Sequence, residues 1–119
     1  MIRADGYKGE EIALSFLLEK GLKLRERNWR HHHLEVDLIM EDERYVHIVE
    51  VRTRTAPYLV SPAESVKKGK QKRLFRAASA YALKYNIRKE IVFDIVSIVY
   101  VAQGYEIEYL EGALLPLYI

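Results

Sequence analysis

Apolar residues recur along this chain with two different periods, and the changes between them divide it into elements. From Gly6 to Lys20, Ile12, Ala13, Leu14, Phe16 and Leu17 fall on one side of a helical wheel, and Gly21 supplies a stop, so an amphipathic helix is predicted. Leu22 and Leu24 then alternate with charge, which predicts a first strand over Leu22–Trp29, followed by a polar connection at 30–33, RHHH. Leu34–Met40 and Tyr45–Thr53 carry the clearest strand patterns and are joined by an acidic turn at Glu41, Asp42 and Glu43. After a loop through Pro57, Ser61–Glu64 reads as a helix start, with Ser at the N-cap, Pro at the first helical position and Glu three residues after the Ser. Gly69 is expected to interrupt that short turn. A main second helix then runs from Lys70 to Tyr85, with Leu74, Ala77, Ala78, Tyr81, Ala82 and Tyr85 as its buried stripe and Asn86 as its stop. Ile91–Val101 is a β-branched strand, and Tyr105–Leu110 a weaker one paired through a turn near Gly104. The order αβββαβ, with an added edge strand, belongs to the α/β class.

Composition narrows the setting. The 119 residues are 50% hydrophobic and 30% charged, the profile of one ordered globular domain over 1–119. No run approaches the about 18 apolar residues of a membrane span, and the N-terminal MIRADGYKGEE lacks the apolar centre of a secretory signal. Cysteine is absent, which removes disulfides, thiolate zinc sites and cysteine nucleophiles. A cytoplasmic location without membrane contact is expected. The net charge of +2 diagnoses no partner, but KKGKQKRLFR (Lys67–Arg76) holds many cations and no acid. A basic face beside an acidic site suits a polyanion whose bound part meets metal ions.

The acids in question interrupt the two strongest strands. Asp37 breaks the run LEVDLIM and Glu50 breaks HIVEV. An ionised carboxylate in an apolar interior is strongly disfavoured unless a cation, a metal or hydrogen bonds compensate it. Period-2 alternation places Glu35, Asp37 and Ile39 on one strand face, opposite Val36, Leu38 and Met40, and places Ile48, Glu50 and Arg52 together, opposite Val49 and Val51. If the hairpin brings the polar faces to one side, Asp37, Glu50 and Arg52 converge. Asp37 and Glu50 could then chelate Mg²⁺ or Mn²⁺, which prefer carboxylate oxygens. Such an ion polarises a phosphate and acidifies water. Glu10 falls within the apolar face of the first helix while Glu11 points to solvent, so Glu10 is the third inward acid. Plainer roles stand beside these. Asp37 and Glu50 could be buried ion-pair partners, Glu10 a first-turn acid favoured by the helix dipole, and Glu35 a solvated edge residue.

Taken in order, GYKGEEIA (Gly6–Ala13), RERNWR (Arg25–Arg30), LEVDLI (Leu34–Ile39), VEVRTR (Val49–Arg54), KQKRLFRAASAYAL (Lys70–Leu83) and VFDIVSI (Val92–Ile98) resemble the YraN family, small bacterial proteins with a restriction-endonuclease-like fold. The resemblance covers nearly the whole chain. It implies a mixed central sheet flanked by helices around an αβββαβ core, and the D…ExK site of that nuclease superfamily. Asp37 matches its metal-binding aspartate, Glu50 the Glu of ExK, and Glu10 the Glu of an N-terminal Gly-Glu pair. Leu34 replaces a usual glycine, and Arg52 stands where ExK has lysine. The resemblance also singles out Lys70 and Arg73 as contacts to a nucleic-acid backbone.

Arginine can hold developing phosphorane charge through its planar fork, but with a pKa above 12 it is a poor proton acceptor. The expected function is therefore metal-dependent phosphodiester hydrolysis in nucleic acid, with DNA preferred. Asp37 and Glu50 would hold the metal, Glu10 would complete the shell or position water, and Arg52 would act on the transition state. Lys70 and Arg73 would hold phosphates, although a solvated helix face is the plain alternative for that basic stretch. Two other functions stay open: a nucleic-acid-binding module without catalysis, and a protein-interaction module whose acids only pair internally. A homodimer is expected by fold analogy alone. His31, His32 and His33 alternate direction in an extended segment and read as a solvated loop rather than a metal site. His47 is expected as a packed or edge residue and Trp29 as core. Asp94 is expected to pair with Arg73 or Arg76.

Overall fold

The computed structural model describes the backbone of residues 2–57 and 60–116 and the side chains of 8–57 and 60–116. In chain order the elements are α1 (Ile2–Glu19), β1 (Lys23–His31), β2 (Leu34–Glu41), β3 (Tyr45–Thr55), α2 (Pro62–Ser65), α3 (Lys68–Tyr85), β4 (Glu90–Val101) and β5 (Gly104–Leu114). The strands form one sheet in the order β1-β2-β3-β4-β5. Neighbours are antiparallel except β3 and β4, which run parallel from Tyr45↔Glu90 to Thr55↔Tyr100. That exception follows from connectivity: the chain leaves β3, returns along α3, and enters β4 in the same direction. The result is the expected α/β architecture, a mixed sheet with an αβββαβ core of restriction-endonuclease type. Among the described residues no helix is long and apolar enough to cross a membrane.

Two hydrophobic layers hold the helices to opposite faces. Ala13, Leu14 and Leu17 of α1 pack with Leu38, Met40, Val49, Val96 and Ile98. Leu74, Phe75, Ala77, Ala78 and Tyr81 of α3 pack with Val36, Ile39, Ile48, Phe93 and Ile95. Trp29 joins the second layer as expected, edge-on to Tyr81 with ring centroids 5.2 Å apart. The stripe of α3 gains Phe75 and loses Tyr85, which is exposed.

Several boundaries move, each for a local reason. Ser61 caps α2, accepting the Glu64 N–H at 3.2 Å with Pro62 in the first turn, as the sequence predicts. The break between α2 and α3 lies at Val66 and Lys67, however, and Gly69 sits inside the first turn of α3. Arg30 and His31 belong to β1, paired with Glu35 and Leu34, so the polar connection shrinks to a tight turn with His32 at φ 57°. β5 runs on to Leu114 past a bulge opposite Phe93 and Ile95. Asn86 ends α3 in the left-handed conformation, φ 52°, as its side chain allows.

The alternation expected in β2 fails at its centre. Val36 packs in the α3 layer with Ile39, whereas Leu38 and Met40 pack in the α1 layer. The break in period falls at Asp37.

Candidate functional site

The irregularity at Asp37 coincides with the end of strand pairing. β2 and β3 pair from Glu41↔Val46 to Leu38↔Val49 and no further, while β3 continues along β4 to Thr55. Beyond Val49, β3 therefore presents backbone donors toward a strand that has turned away. The Asp37 carboxylate fills the first vacancy, accepting the Val51 N–H on Oδ2 at 2.9 Å. A buried amide left unpaired would be costly, so Asp37 does structural work at this point as well as carrying charge.

Glu50, on the α3 face and only 3% exposed, lies beside this gap. Its Oε2 faces Lys70 Nζ at 3.1 Å and an Arg52 guanidinium nitrogen at 3.6 Å. Lys70 comes from the first turn of α3, so the helix start is drawn onto the sheet here. Burial pushes the Asp37 carboxyl up to about 8, the Glu50 charge adds to the push, and the Val51 N–H opposes it. Glu10 pushes the same way and Lys70 opposes. Ionised Asp37 is therefore disfavoured unless a further cation compensates it.

Glu10 reaches the same region from the α1 side because of its neighbour. A Cβ on Gly9 would collide with Cγ2 of Thr53, so glycine is what lets α1 lie this close to β3. Burial raises the Glu10 pKa, a side-chain hydrogen bond with Asn28 works against that, and Glu35 adds to the rise. Its Oε1 is buried with no hydrogen-bond partner among the described residues. Glu11 points toward solvent as expected, and there pairs with Arg27. Glu10, Asp37 and Glu50 do not bring three ligand atoms within 4.8 Å of one another.

On the α3 side the site opens into a groove of about 430 Å³ lined by Arg52, Ser65, Lys67, Gly69, Lys70 and Arg73. Arg52 also donates to the Ser65 carbonyl at 3.2 Å, which fixes its direction along the groove wall. The structure thus brings Glu50, Arg52 and Lys70 into contact, sets Asp37 and Glu10 near enough for their charges to act on one another, and leaves Arg73 on the groove wall. Sequence reasoning missed Ser97. It is in register with Arg52 on the same sheet face and fully buried, and its hydroxyl is without a partner among the described residues. A lone serine in the apolar run VFDIVSI was the available signal.

A second polar cluster lies at the opposite end of the sheet. Asp94 does not pair with Arg73 or Arg76. It is fully buried, and its carboxylate faces His47 Nδ1 at 2.6 Å and accepts the Tyr109 hydroxyl at 2.6 Å and the Gly112 N–H at 2.9 Å. The expected arginine pairing fails because the α3 layer is on the other face, whereas β5 folds Tyr109 and Gly112 over Asp94 at its bulge. The other ring nitrogen of His47, Nε2, faces Asp42 Oδ2 at 2.9 Å. Burial opposes charge on His47, but Asp94 and Asp42 outweigh it and raise the imidazole pKa. Asp42, His47 and Glu111 present ligand atoms within 4.8 Å of one another, a set that could hold a metal ion.

The profile of the uncharacterised protein family UPF0102 matches residues 9–98, from Gly9 through the strand that carries Ser97. The chain belongs to that family. A UPF0102 protein of Parabacteroides distasonis is 36% identical over 108 residues, covering 91% of this chain and 89% of its own length. One from Bacteroides thetaiotaomicron is 36% identical over 111 residues, covering 93% and 92%. One from Chlorobium phaeobacteroides is 39% identical over 95 residues, covering 79% and 75%. The UPF0102 match begins at Gly9 and so includes every residue of the acidic site.

Proposed function

We propose that this UPF0102 protein is a metal-dependent nuclease that hydrolyses phosphodiester bonds, with DNA as the preferred nucleic acid. The observation that carries this reading is the convergence of Asp37 and Glu50 where β2 and β3 part, beside an open groove walled by cations. The donor set suits Mg²⁺ or Mn²⁺: carboxylate oxygens, one buried carboxylate oxygen of Glu10 without a partner among the described residues, and an Asp37 charge that burial and Glu50 disfavour. Asp37 and Glu50 would hold the ion, which when bound lends Lewis acidity to a phosphate oxygen and acidifies water.

The chain's own groups supply the rest. Lys70 and Arg73 bind backbone phosphates along the groove, where the start of α3 adds its exposed N–H groups. Arg52, held by the Ser65 carbonyl, donates to the phosphoryl oxygens on which charge develops and takes no proton. Glu10 orients water through its free oxygen. Double-strand cleavage would call for two copies acting together, which makes a homodimer part of the proposal.

The test is incubation of labelled linear, single-stranded and branched DNA with the protein in Mn²⁺, with Asp37→Ala prepared in parallel. Cleavage that disappears in the variant supports the reading, and cleavage that persists removes it. One observation favours a second reading: Lys70 and Arg52 already face Glu50, and no lysine occupies position 52. A nucleic-acid-binding module without catalysis would then show salt-sensitive binding and no product.

A further inference from the structure

The cluster at the far end of the sheet has the anatomy of a second, different site. His47 is fully buried and its two ring nitrogens have unequal settings. Nδ1 is committed to Asp94, which is itself locked by the Tyr109 hydroxyl and the Gly112 N–H. A carboxylate that holds one nitrogen of a histidine fixes the ring and strengthens the other nitrogen as a ligand. That other nitrogen, Nε2, looks at Asp42 Oδ2 across 2.9 Å. The Asp42 side chain is turned toward the ring by its second oxygen, which accepts the Arg44 and Tyr45 N–H groups at 2.8 Å. Glu111 of β5 completes the set: its Oε2 lies 3.8 Å from Nδ1, and its side chain, more than half exposed, has to swing toward Nε2 to join Asp42.

We propose that Asp42, His47 and Glu111 form a zinc-class cation site that fastens β5 to the β2–β3 turn, distinct from the carboxylate site at the splayed strands. The donors decide the class. One imidazole and two carboxylates, with water in a fourth position, are the ligands of Zn²⁺ and its neighbours, whereas Mg²⁺ and Mn²⁺ favour all-oxygen shells. An ion bonded tetrahedrally to Nε2 and Oδ2 sets those atoms roughly 3.3 Å apart. The present 2.9 Å separation therefore has to open by only a few tenths of an ångström. The ion takes the place of the Nε2 proton, which leaves to solvent. Asp42 also lines a groove of about 660 Å³ together with Lys23, Glu41, Arg44 and Lys89, so the cluster borders open space on the Asp42 side. Lys89 pairs with Glu41 at 2.7 Å and donates to the Asp42 carbonyl at 2.7 Å, which leaves Asp42 Oδ2 to His47.

The ion links segments far apart in sequence, the turn at Asp42 and the end of β5 at Glu111, so it stabilises the folded chain by mass action. The test uses the full chain carrying His32→Asn and His33→Asn, which removes fortuitous binding at the exposed turn. Zn²⁺ is titrated by calorimetry and by thermal melting. One ion should bind and raise the melting temperature. Glu111→Gln and Asp42→Asn should each weaken Zn²⁺ by about 10-fold or more. Asp37→Asn should leave Zn²⁺ affinity unchanged, which separates this site from the proposed nuclease centre. Affinity unchanged in either Glu111→Gln or Asp42→Asn overturns the proposal, as does loss of Zn²⁺ binding on removing the two histidines.

Discussion

Asp37 carries two demands that oppose each other. Its carboxylate must accept the Val51 N–H to close the end of the β2–β3 ladder, yet burial and Glu50 make its ionisation unfavourable. With its pKa raised to about 8, the folded, metal-free chain holds a proton there that the unfolded chain has already lost above its ordinary aspartate value. Folded protein binding more protons than unfolded means that stability falls as pH rises between about 4 and about 8. Asp37→Asn keeps an acceptor for Val51 and removes the charge. Its metal-free melting temperature should exceed that of the parent at pH 8, and the slope over that window should flatten. An unchanged slope in a melting series from pH 4 to pH 9 would place the proton elsewhere. Arg52 poses the complementary question of a donor that cannot accept. Arg52→Lys should raise cleavage in Mn²⁺ if a neutral amine is the missing group, a change read directly in a single-turnover assay. Both acids were legible in the sequence as charges among apolar neighbours. The role of Asp37 as a ladder substitute was not, because it depends on where two strands stop pairing.

At the level of elements, the site exists because α1 and α3 approach the sheet from opposite faces at one end. Gly9 sets the α1 approach. Gly9→Ala drives a methyl into Thr53 and should destabilise the fold by about 1–3 kcal/mol, measurable by urea unfolding. Thr53→Ser removes the obstructing Cγ2, so the double variant should recover most of the loss; no recovery would show that Gly9 matters for another reason. The α3 approach is set by Lys70 against Glu50. Lys70→Ala should lower the slope of log affinity against log salt for duplex DNA by about 0.9, the value for one phosphate contact, and an unchanged slope would confine Lys70 to its ion pair. The elements were predicted from period together with cap and stop residues, and their order stands. Boundaries slipped where pairing, not pattern, decides them: His31 joins β1 because it has Leu34 opposite, and β5 extends because Asp94 anchors Tyr109 and Gly112.

Across the whole molecule, the sheet separates two polar centres. One lies where β2 and β3 part, with acids, cations and a groove; the other lies at the β2–β3 turn, with a histidine between carboxylates. The first was visible in the chain through its motifs and through the resemblance they carry. The second was not, since His47 and Asp94 become neighbours only through the parallel pairing of β3 with β4, which the α3 crossover imposes. The central claim is that Asp37 and Glu50 together bind a divalent cation. Mn²⁺ binding, followed by electron paramagnetic resonance in the parent, Asp37→Asn, Glu50→Gln and Glu111→Gln proteins, tests it most directly. The account predicts binding in the parent and in Glu111→Gln, and its loss in both Asp37→Asn and Glu50→Gln. Binding of equal strength in all four proteins would contradict it.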